Sequence, residues 1–398
     1  MTPVRLAVAC ALAVSALWPR AAASQAVEVR VENPLERERR DETIAIPWSA
    51  IRQALPTATP TRVRIVDPVT SREVSTQVVD ANGDSHPDEL LFQTNFWPLE
   101  AKRFVVEARA PAVTPAARVH VKYVDDRGDI AWESDRIAFR TYGQKLWALE
   151  NLHSSGIDVW VKRTRALVLD RWYAKGQGGY HTDTGEGADF YRVGPTLGTG
   201  GTAIWRNDTL YRAENFARHR ILASGPIRAI VELEYDPWNA GGARVTETKR
   251  ISIDAGSQLF RQESIFRAEG RSELPVAVGF VKRDGVVGST RRDSSWTWVS
   301  GWGPIEPVTN GHGSLGLAAL VDRKTLLELR ETADHHVAVM RVQPGTAVVS
   351  YAGAGWSASG DFDGPSDWWS YLDQFAQRLA SPVRVTLLRD GRAVPAPR

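Results

Sequence analysis

Ionisable side chains are concentrated in one short glycine-containing stretch, residues 180–194, which reads YHTDTGEGADFYRVG. It holds one histidine, three acidic residues, two tyrosines and one arginine. A solvated loop has no need of tyrosine or histidine, and a core strand does not tolerate this density of charge. The stretch is therefore either an idle surface loop or the wall of a polar cleft in which protons are transferred.

The side chains in and around this stretch suit proton transfer on a sugar that carries an acidic substituent. If that reaction is an elimination, it needs a cation for the carboxylate, a base for the C5 proton and an acid for the leaving oxygen. Arginine supplies the first, histidine the second and tyrosine the third. The catalytic candidates are His153, His181, Tyr180, Tyr191 and Glu186. The substrate-binding candidates are Arg192, Arg228, Asn215, His219, Asp183, Asp189 and Trp205.

Other functions remain open at this point. Two of the three acids Asp183, Glu186 and Asp189 could serve as the acid and base of a glycoside hydrolase. A sugar mutarotase or epimerase would use the same groups. A non-catalytic glycan-binding protein would need tryptophans as platforms for sugar rings, and the chain has 15 of them. A pure binder has no need of the ionisable stretch, so its presence favours an enzyme.

A second motif, DANGDSHPD, predicts a structural calcium site. Asp80, Asn82, Asp84 and Asp88 occupy relative positions 1, 3, 5 and 9, a spacing that converges oxygen ligands on a hard cation. The alternative is an ordinary Asn-Gly hairpin between two strands. An EF-hand is excluded because its twelfth position would be Leu91 rather than a glutamate. No organic cofactor is predicted.

Several classes of protein are excluded by missing motifs and by the charge balance. The chain lacks a phosphate-binding glycine loop, the HExxH and Cys/His patterns of zinc sites, and the GxSxG elbow of serine hydrolases. Its 49 basic and 47 acidic residues form no basic run, which argues against a nucleic acid partner. The oligomeric state cannot be read from the sequence.

The N-terminus predicts export. Arg5 precedes a short apolar run and small residues follow it, which is typical of a signal peptide over residues 1–26 with cleavage after Ala23 or Ala26. The one cysteine, Cys10, lies inside that segment. We therefore expect a periplasmic or secreted protein that folds without disulfides and has no membrane contact after cleavage.

The rest of the chain predicts an all-β fold. Short alternating segments such as VEVRVEN and KRFVVEAR predict a small β-sandwich over 27–125. Longer strands follow, such as PIRAIVELEYDPW, and predict a large antiparallel supersandwich over 126–398 that carries the cleft. One amphipathic segment, GPSDWWSYLDQFAQRLASP, predicts a C-terminal helix.

Several long blocks resemble a family of exported bacterial proteins of similar length and unassigned function. The blocks occur in order along the chain: VENPLERERRDETIAIPW, DELLFQTNF, AWESDRIAFRTYG, SGIDVWVKR, GEGADFYRVGPTLGTGGTAIW and SGPIRAIVELEYDPW. That family is associated with genes for degrading pectin-like and other uronic-acid glycans, and it is similar to the galactose-mutarotase-like supersandwich group. The resemblance implies an acidic oligosaccharide or polysaccharide as substrate, with a lyase as the favoured activity. It identifies no catalytic residue.

Overall fold

The computed structural model describes residues 26–176, 178–292, 295–305 and 311–394. The predicted signal peptide lies outside these ranges except for Ala26, the first residue of the first strand. The export prediction and its cleavage point therefore stay predictions. No helix in the described ranges is both long enough and apolar enough to cross a membrane.

Strands dominate the described residues, as the sequence predicts. In the first half of the chain the elements are β1 Ala26–Glu32, β2 Arg39–Pro47, α1 Trp48–Ala54, β3 Arg64–Asp67, β4 Arg72–Val74, β5 Thr76–Val79, β6 Glu89–Phe96, β7 Ala101–Glu107, β8 Val119–Val124, β9 Asp129–Ser134, β10 Ile137–Tyr142, α2 Lys145–Glu150, β11 Asp158–Lys162, α3 Leu169–Tyr173 and β12 Gly187–Ala188. In the second half they are β13 Thr199–Arg206, β14 Thr209–Tyr211, β15 Arg218–Ala223, β16 Arg228–Ala240, β17 Ala243–Asp254, β18 Leu259–Ala268, β19 Leu274–Val281, β20 Val287–Arg291, β21 Trp296–Pro304, β22 Ser314–Asp322, β23 Leu326–Glu331, β24 His335–Val342, β25 Ala347–Trp356, α4 Pro365–Ala380, β26 Arg384–Arg389 and β27 Arg392–Ala393. The all-β prediction is confirmed.

The strands form antiparallel sheets that pack face to face. The largest has the order β15-β16-β17-β18-β25-β22-β21-β20, and two further sheets, β14-β13-β19-β24-β23 and β12-β11-β10-β9-β8, share one apolar core with it. Along β17 every second residue is buried, which is the period of a strand with one face on a core. This sandwich carries the charged residues described below.

The N-terminal module has its own core between the sheets β27-β26-β1-β7-β3-β4 and β2-β6-β5. Two strand pairings run across the limits predicted for it. The C-terminal β26 pairs with β1, and β8 pairs with β9 across residue 125. The chain therefore returns at its end to complete the first module, while the domain limits 27–125 and 126–398 stay a prediction.

The predicted C-terminal helix is present as α4, which lies on the large sheet. It buries Trp368, Leu372 and Ala376 on one face. A β-carbon at Gly316 of β22 would lie 2.6 Å from Trp368, so only glycine leaves room for that indole. Burial of the apolar stripe, at roughly 1.5–3 kcal/mol for each large side chain, holds the helix in place.

Candidate active site

Three neighbouring strands carry charged residues within the sheet β12-β11-β10-β9-β8. Asp129 begins β9, Arg140 lies in β10 and Asp158 begins β11. In the antiparallel register Arg140 pairs with Asp158, and Tyr142 pairs with Asp129. Paired residues point to the same face of a sheet, so the register brings these groups together.

The stretch 180–194 adds the next two groups. It begins in a 3-10 turn at Gly179–His181 and returns as β12, which pairs with β11. A β-carbon at Gly187 would lie 2.0 Å from the carbonyl oxygen of Val161, and the φ of Gly187 is +104°, so this approach requires glycine. The amide of Asp189 then donates to the carbonyl of Tyr180 at 2.9 Å, which sets the two side chains beside Arg140.

We call these groups the aspartate cluster: Asp129, Asp158 and Asp189 around Arg140, with Tyr180. Arg140 Nη2 donates to Asp158 Oδ2 at 2.6 Å and to Asp189 Oδ2 at 2.9 Å. Arg140 Nη1 lies 3.4 Å from Tyr180 Oη and 3.7 Å from Asp129 Oδ2. All five residues are buried, with Arg140 the most exposed at 6%.

Carboxylates outnumber the arginines that face them. Arg127 is the one other arginine of the described residues that pairs with a member of the cluster, through Asp129 Oδ2 at 3.0 Å. Burial raises the pKa of Asp189 well above its usual range, the charge of Asp158 adds to this, and Arg140 opposes it. Burial likewise raises the pKa of Asp129 and of Asp158 against the charge of Arg140. The cluster therefore favours holding a proton.

Two carboxylate oxygens of the cluster are poorly satisfied within the protein. Within the described ranges, Asp129 Oδ1 and Asp189 Oδ1 are buried and make no hydrogen bond of good geometry, and the Trp160 side chain acts on the Asp189 carboxyl to lower its pKa against the effect of burial. Buried polar atoms in native proteins are nearly always bonded, so such oxygens are costly unless they are protonated or serve a purpose. This is the signature of a functional site more than of a structural ion pair.

An open cavity of about 520 Å³ lies beside the cluster. Tyr173 and Tyr180 line it and stand between the cavity and the buried aspartates, with Tyr173 Oη 3.5 Å from Asp129 Oδ2. Burial raises the pKa of Tyr180, and Arg140 and Arg127 oppose the rise. The phenol is therefore protonated at neutral pH and can donate a proton.

The charged rim of the cavity consists of cation–carboxylate pairs. Arg127 bridges the buried Asp129 and the rim residue Glu150, whose Oε1 lies 2.8 Å from Arg127 Nη2. On another wall Lys122 Nζ lies 2.5 Å from Asp170 Oδ1. Cations and carboxylates that face the same space can hold a polar ligand and exchange protons with it.

His181 and two other predicted residues lie in or next to the cluster. Tyr180 and Asp189 are members of it. His181 Nδ1 lies 2.9 Å from the carbonyl oxygen of Asp189 and 3.5 Å from its Oδ2, with the histidine side chain 49% exposed. The ring does not line the cavity. His181 is thus brought to the edge of the cluster and away from the space where a substrate would sit.

The remaining acids of the stretch form surface contacts. Asp183 accepts hydrogen bonds from the amides of Gly185 and Gly187 and pairs with Arg163. Glu186 pairs with Arg171 at 2.5 Å, on α3. Asp183 and Glu186 thus pair with different arginines at the surface, while Asp189 is buried in the cluster; a hydrolytic pair among the three stays a prediction.

Tyr191 and Arg192 lie apart from the aspartate cluster. Tyr191 is in the sandwich core, with the guanidinium of Arg283 5.8 Å from its ring centre. Burial raises the pKa of Tyr191. Arg192 is exposed. The stretch therefore divides between the aspartate cluster, which holds Tyr180 and Asp189, and the sandwich core, which holds Tyr191.

The predicted residues around α2 and β13 have structural contacts. His153 is exposed, stacks on Trp147 at 5.3 Å and lies 3.6 Å from Glu214. Asn215 is buried, accepts from the Trp147 indole and the Ser154 amide, and donates to the carbonyl of Gly143. Trp205 is only 8% exposed and packs in the core. Neither His153 nor Asn215 reaches the cavity.

His219 and Arg228 are also separate from the cluster. His219 stacks on Tyr123 at 3.8 Å, and burial lowers its pKa. Arg228 joins the large sheet to the N-terminal module, because it binds Asp254 at 2.6 Å and Glu89 at 2.9 Å. This arginine is held by two carboxylates rather than free to clamp a substrate.

The loop predicted to bind calcium is closed by internal hydrogen bonds. Asp80 accepts from the amides of Gly83, Asp84 and Ser85, and Asp88 accepts from those of Ala81 and Asn82. The described residues contain no group of three histidine, cysteine or acidic side chains placed to hold a metal ion. Calcium binding by Asp80, Asn82, Asp84 and Asp88 stays a prediction.

Sequence reasoning missed Asp129, Arg140, Asp158, Arg127 and Tyr173 as site residues. The signal available was weak: a charged residue inside an otherwise apolar strand, as in IAFRTY and IDVWVK. A charge in a buried strand needs a partner, but the sequence alone does not say which.

The fold is similar to that of a solved protein of glycosyl hydrolase family 38. A protein of glycosyl hydrolase family 38 from Enterococcus faecalis matches 93% of this chain with a TM-score of 0.51 at 9% identity. An alpha-mannosidase from Enterococcus faecalis V583 matches 92% with a TM-score of 0.43, also at 9% identity. This chain spans about half of each of those structures, 48% and 46% of their lengths. At such identity the first likeness concerns the fold alone.

Sequence comparison identifies the family. The uncharacterized protein P7 of Formosa agariphila is 30% identical over 384 residues, which are 90% of this chain and 93% of that protein. The model of a domain of unknown function, DUF4861, matches residues 31–385. The predicted resemblance to a family of unassigned function is confirmed at this level, and its link to glycan degradation stays a prediction. The chain belongs to the DUF4861 family.

Proposed function

We propose that the chain is a carbohydrate-active enzyme and that the cavity beside Tyr180 is its reaction site. One observation carries the proposal: the Tyr180 ring lines the cavity while its hydroxyl lies 3.4 Å from Arg140 of the aspartate cluster. A protonated phenol that is backed by a proton-holding cluster is suited to act as a general acid. The fold likeness to a glycosyl hydrolase family 38 protein supports the carbohydrate class.

The favoured reaction is β-elimination on a uronic-acid-containing oligosaccharide. A base removes the C5 proton, its electron pair forms the C4–C5 double bond, and the C4–oxygen bond breaks. The leaving oxygen takes the proton of Tyr180. The phenolate then regains a proton and the base releases the C5 proton to solvent, so both groups return to their starting states. Glu150 is the base that we assign, because its carboxylate lines the same cavity.

Arg127 is the cation that we assign to the uronate carboxylate. It lines the cavity and already holds Glu150 at 2.8 Å and Asp129 at 3.0 Å. A forked guanidinium can bind a substrate carboxylate with two parallel hydrogen bonds, and neutralising that carboxylate favours loss of the adjacent proton. The Glu150 side chain is 32% exposed, so its pairing with Arg127 can give way to a ligand.

Hydrolysis is the second candidate, and a different observation favours it. Glu150 and Asp170 both place carboxylates on the wall of this cavity. Two carboxylates that flank a glycosidic bond can serve as acid and base without any uronate. The two reactions differ in their products, so one assay separates them.

The test is a panel of uronic-acid and neutral glycans incubated with the enzyme, followed at 235 nm and by reducing-end assay. Elimination gives rising absorbance, and hydrolysis gives reducing ends without it. We expect Tyr180→Phe to lower turnover by about 10²-fold or more, the usual size of a lost acid catalyst. Its folding should change little, since the lost hydrogen bond is long at 3.4 Å.

Tyr123→Phe is the matched control. Tyr123 lies in β8 between the cavity residues Lys122 and Val124 and therefore points to the other face of the sheet. It should keep full activity. If Tyr180→Phe and Glu150→Gln both turn over a confirmed substrate at the wild-type rate, the reaction occurs elsewhere and the proposal is wrong. Export to the periplasm or medium belongs to the same proposal and is tested by N-terminal sequencing of the mature protein.

A further inference from the structure

A long polar groove runs between the N-terminal module, the large sheet and α4. It consists of two adjoining cavities of about 410 and 280 Å³ that share Arg40, Asp41, Gly256 and Arg378. We call it the arginine groove, because its walls contain seven arginines against six acidic residues. It shares no lining residue with the cavity beside Tyr180.

The inner arginines of the groove are committed to its walls. Arg136 pairs with Asp361 at 2.9 Å, Arg228 with Asp254 at 2.6 Å, and Arg39 with Glu42 at 2.8 Å. The first two pairs join separate elements, whereas Arg39 and Glu42 lie in the same strand, β2. All three guanidinium groups are held by partners within the protein.

The outer arginines are available to a ligand. Arg37 is exposed, and no carboxylate of the described chain lies within ion-pair distance of it. Arg40 is 77% exposed and pairs only with Glu38, itself 47% exposed. An exposed pair contributes little stability and is easily replaced by an external carboxylate. Two guanidinium groups at one edge thus present free or easily freed donors.

An exposed tryptophan stands beside this edge. Trp97, at 69% exposure, follows β6 in the loop to β7. Asn33 joins the loop to the groove wall, because its Nδ2 donates to the Trp97 carbonyl at 2.9 Å and its Oδ1 accepts from Arg39 at 2.7 Å. The amide of Leu99 also donates to the carbonyl of the groove residue Leu35 at 2.9 Å.

The loop is rigid and strained while its tryptophan is open to solvent. Leu99 has a φ of +56°, which is uncommon for a bulky residue. Glu100 Oε2 accepts the Trp97 amide at 2.8 Å and closes the turn. Strain that persists on an exposed loop, where the indole gains nothing from core packing, points to a function for the exposed side chain.

We propose that Trp97 and the outer edge of the arginine groove bind an acidic polysaccharide at a site separate from the reaction cavity. The indole face packs against the C–H face of a sugar ring, and Arg37 and Arg40 bind uronate carboxylates on neighbouring residues. The glycan class rests on the proposed function, while the binding site itself does not depend on catalysis. Its role is to hold the polymer while another part of it enters the cavity.

The experiment is affinity electrophoresis through gels containing polygalacturonate, alginate or neutral galactan. All variants are made in the Tyr180→Phe background so that turnover does not alter the gel. We expect retardation by the acidic polymers and not by galactan. Trp97→Ala should weaken retention about five- to tenfold, the size of a lost aromatic contact. Arg37→Gln/Arg40→Gln should weaken it about fivefold and reduce its sensitivity to salt.

Arg341→Gln is the matched control. Arg341 is 61% exposed and pairs with Glu273 at 3.1 Å, like Arg40 with Glu38 at 3.0 Å, but lies outside the groove. The Arg341→Gln variant should be retained by the acidic polymers as strongly as the Tyr180→Phe protein. Wild-type retention by Trp97→Ala, equal retention by galactan, or no retention by either acidic polymer overturns the proposal. Wild-type turnover by Tyr180→Phe together with intact retention would instead count against the reaction site alone.

Discussion

Two buried charge clusters lie in the same sheet, and they differ in how completely they are satisfied. In the first, Glu133 of β9 pairs with Lys162 of β11 at 2.7 Å, and both side chains have no exposure. Glu133 also accepts from the amides of Val168 and Leu169, and Lys162 donates to the carbonyl of Ser134. In the second, the aspartate cluster, carboxylates outnumber cations and two of their oxygens make no hydrogen bond of good geometry.

The difference is the one expected between a structural ion pair and the functional cluster that we propose. A buried pair with every donor and acceptor used orders the chain, and here it fixes the first turn of α3 to the sheet. A cluster with surplus carboxylates carries a stability cost that is retained only where a site uses it. The cavity lies beside the second cluster. The comparison can be tested with a variant of each cluster.

The largest effect should follow from breaking the satisfied pair. Lys162→Met leaves the Glu133 carboxylate buried without its cation, and we expect the free energy of unfolding to fall by about 3–5 kcal/mol. Urea unfolding at pH 7 measures it. The control is Lys282→Met, which removes an exposed pair with Glu331 and should cost about 1 kcal/mol or less. Equal losses in the two variants would contradict the structural role of Lys162.

Removing a surplus carboxylate should change the free energy of unfolding by less than Lys162→Met does, and should raise it rather than lower it. The pKa of Asp189 is raised in the folded protein, so between the unfolded and folded pKa values the folded state binds more protons. Its contribution to stability is therefore lost as pH rises from about 4 upward. Asp189→Asn should flatten this fall and keep or raise the unfolding free energy at pH 8, by about 1 kcal/mol.

Asp183→Asn is the control for that measurement. Burial opposes its charge, but the amides of Gly185 and Gly187 and the Arg163 side chain leave its pKa lowered. The contribution of Asp183 to stability is present above the pKa of the unfolded state and is lost as pH falls through the pKa of the folded state. Removing the Asp183 charge should therefore lower the free energy of unfolding at pH 8. If Asp189→Asn also destabilises the protein at pH 8, the surplus of carboxylates does not reduce the stability of the folded protein.

The smallest effect on stability is expected at exposed carboxylates whose oxygens already accept hydrogen bonds. In the loop of Asp80 and Asp88, backbone amides occupy the carboxylates. We expect chelator to leave the melting temperature unchanged, and Asp84→Ala to respond no differently from wild type. A melting temperature that falls with chelator, and no longer does so in Asp84→Ala, would support the calcium prediction.

The alternation of apolar and polar residues, together with the composition, was sufficient to predict an all-β architecture with one C-terminal helix. Strands over segments such as VEVRVEN and the amphipathic helix at α4 are present where the sequence predicts them, because their periods record which face is buried. The stretch 180–194 was correctly singled out as more than solvated loop, since Tyr180 and Asp189 are buried in the aspartate cluster.

The partners of these residues could not be read from the sequence. In the sequence, His181, Tyr191 and Glu186 are as good candidates for proton transfer as Tyr180. In the structure, His181 lies at the edge of the aspartate cluster, Tyr191 lies in the core and Glu186 forms a surface ion pair. Arg140 is 40 residues from Tyr180, and nothing local links the two. Likewise Trp97 reads as one more core aromatic until its exposure is known.

The sequence by itself therefore determined the periodic properties of the chain: which segments are strands, which face of each is apolar, and where ionisable groups are dense. Only the tertiary structure decided which of those groups share a site, because sheet register and sheet order set distances between residues that are far apart along the chain. It also decided which charges are satisfied. A carboxylate becomes a structural anchor or a proton-holding group according to the donors that the fold places around it, as Glu133 and Asp189 demonstrate.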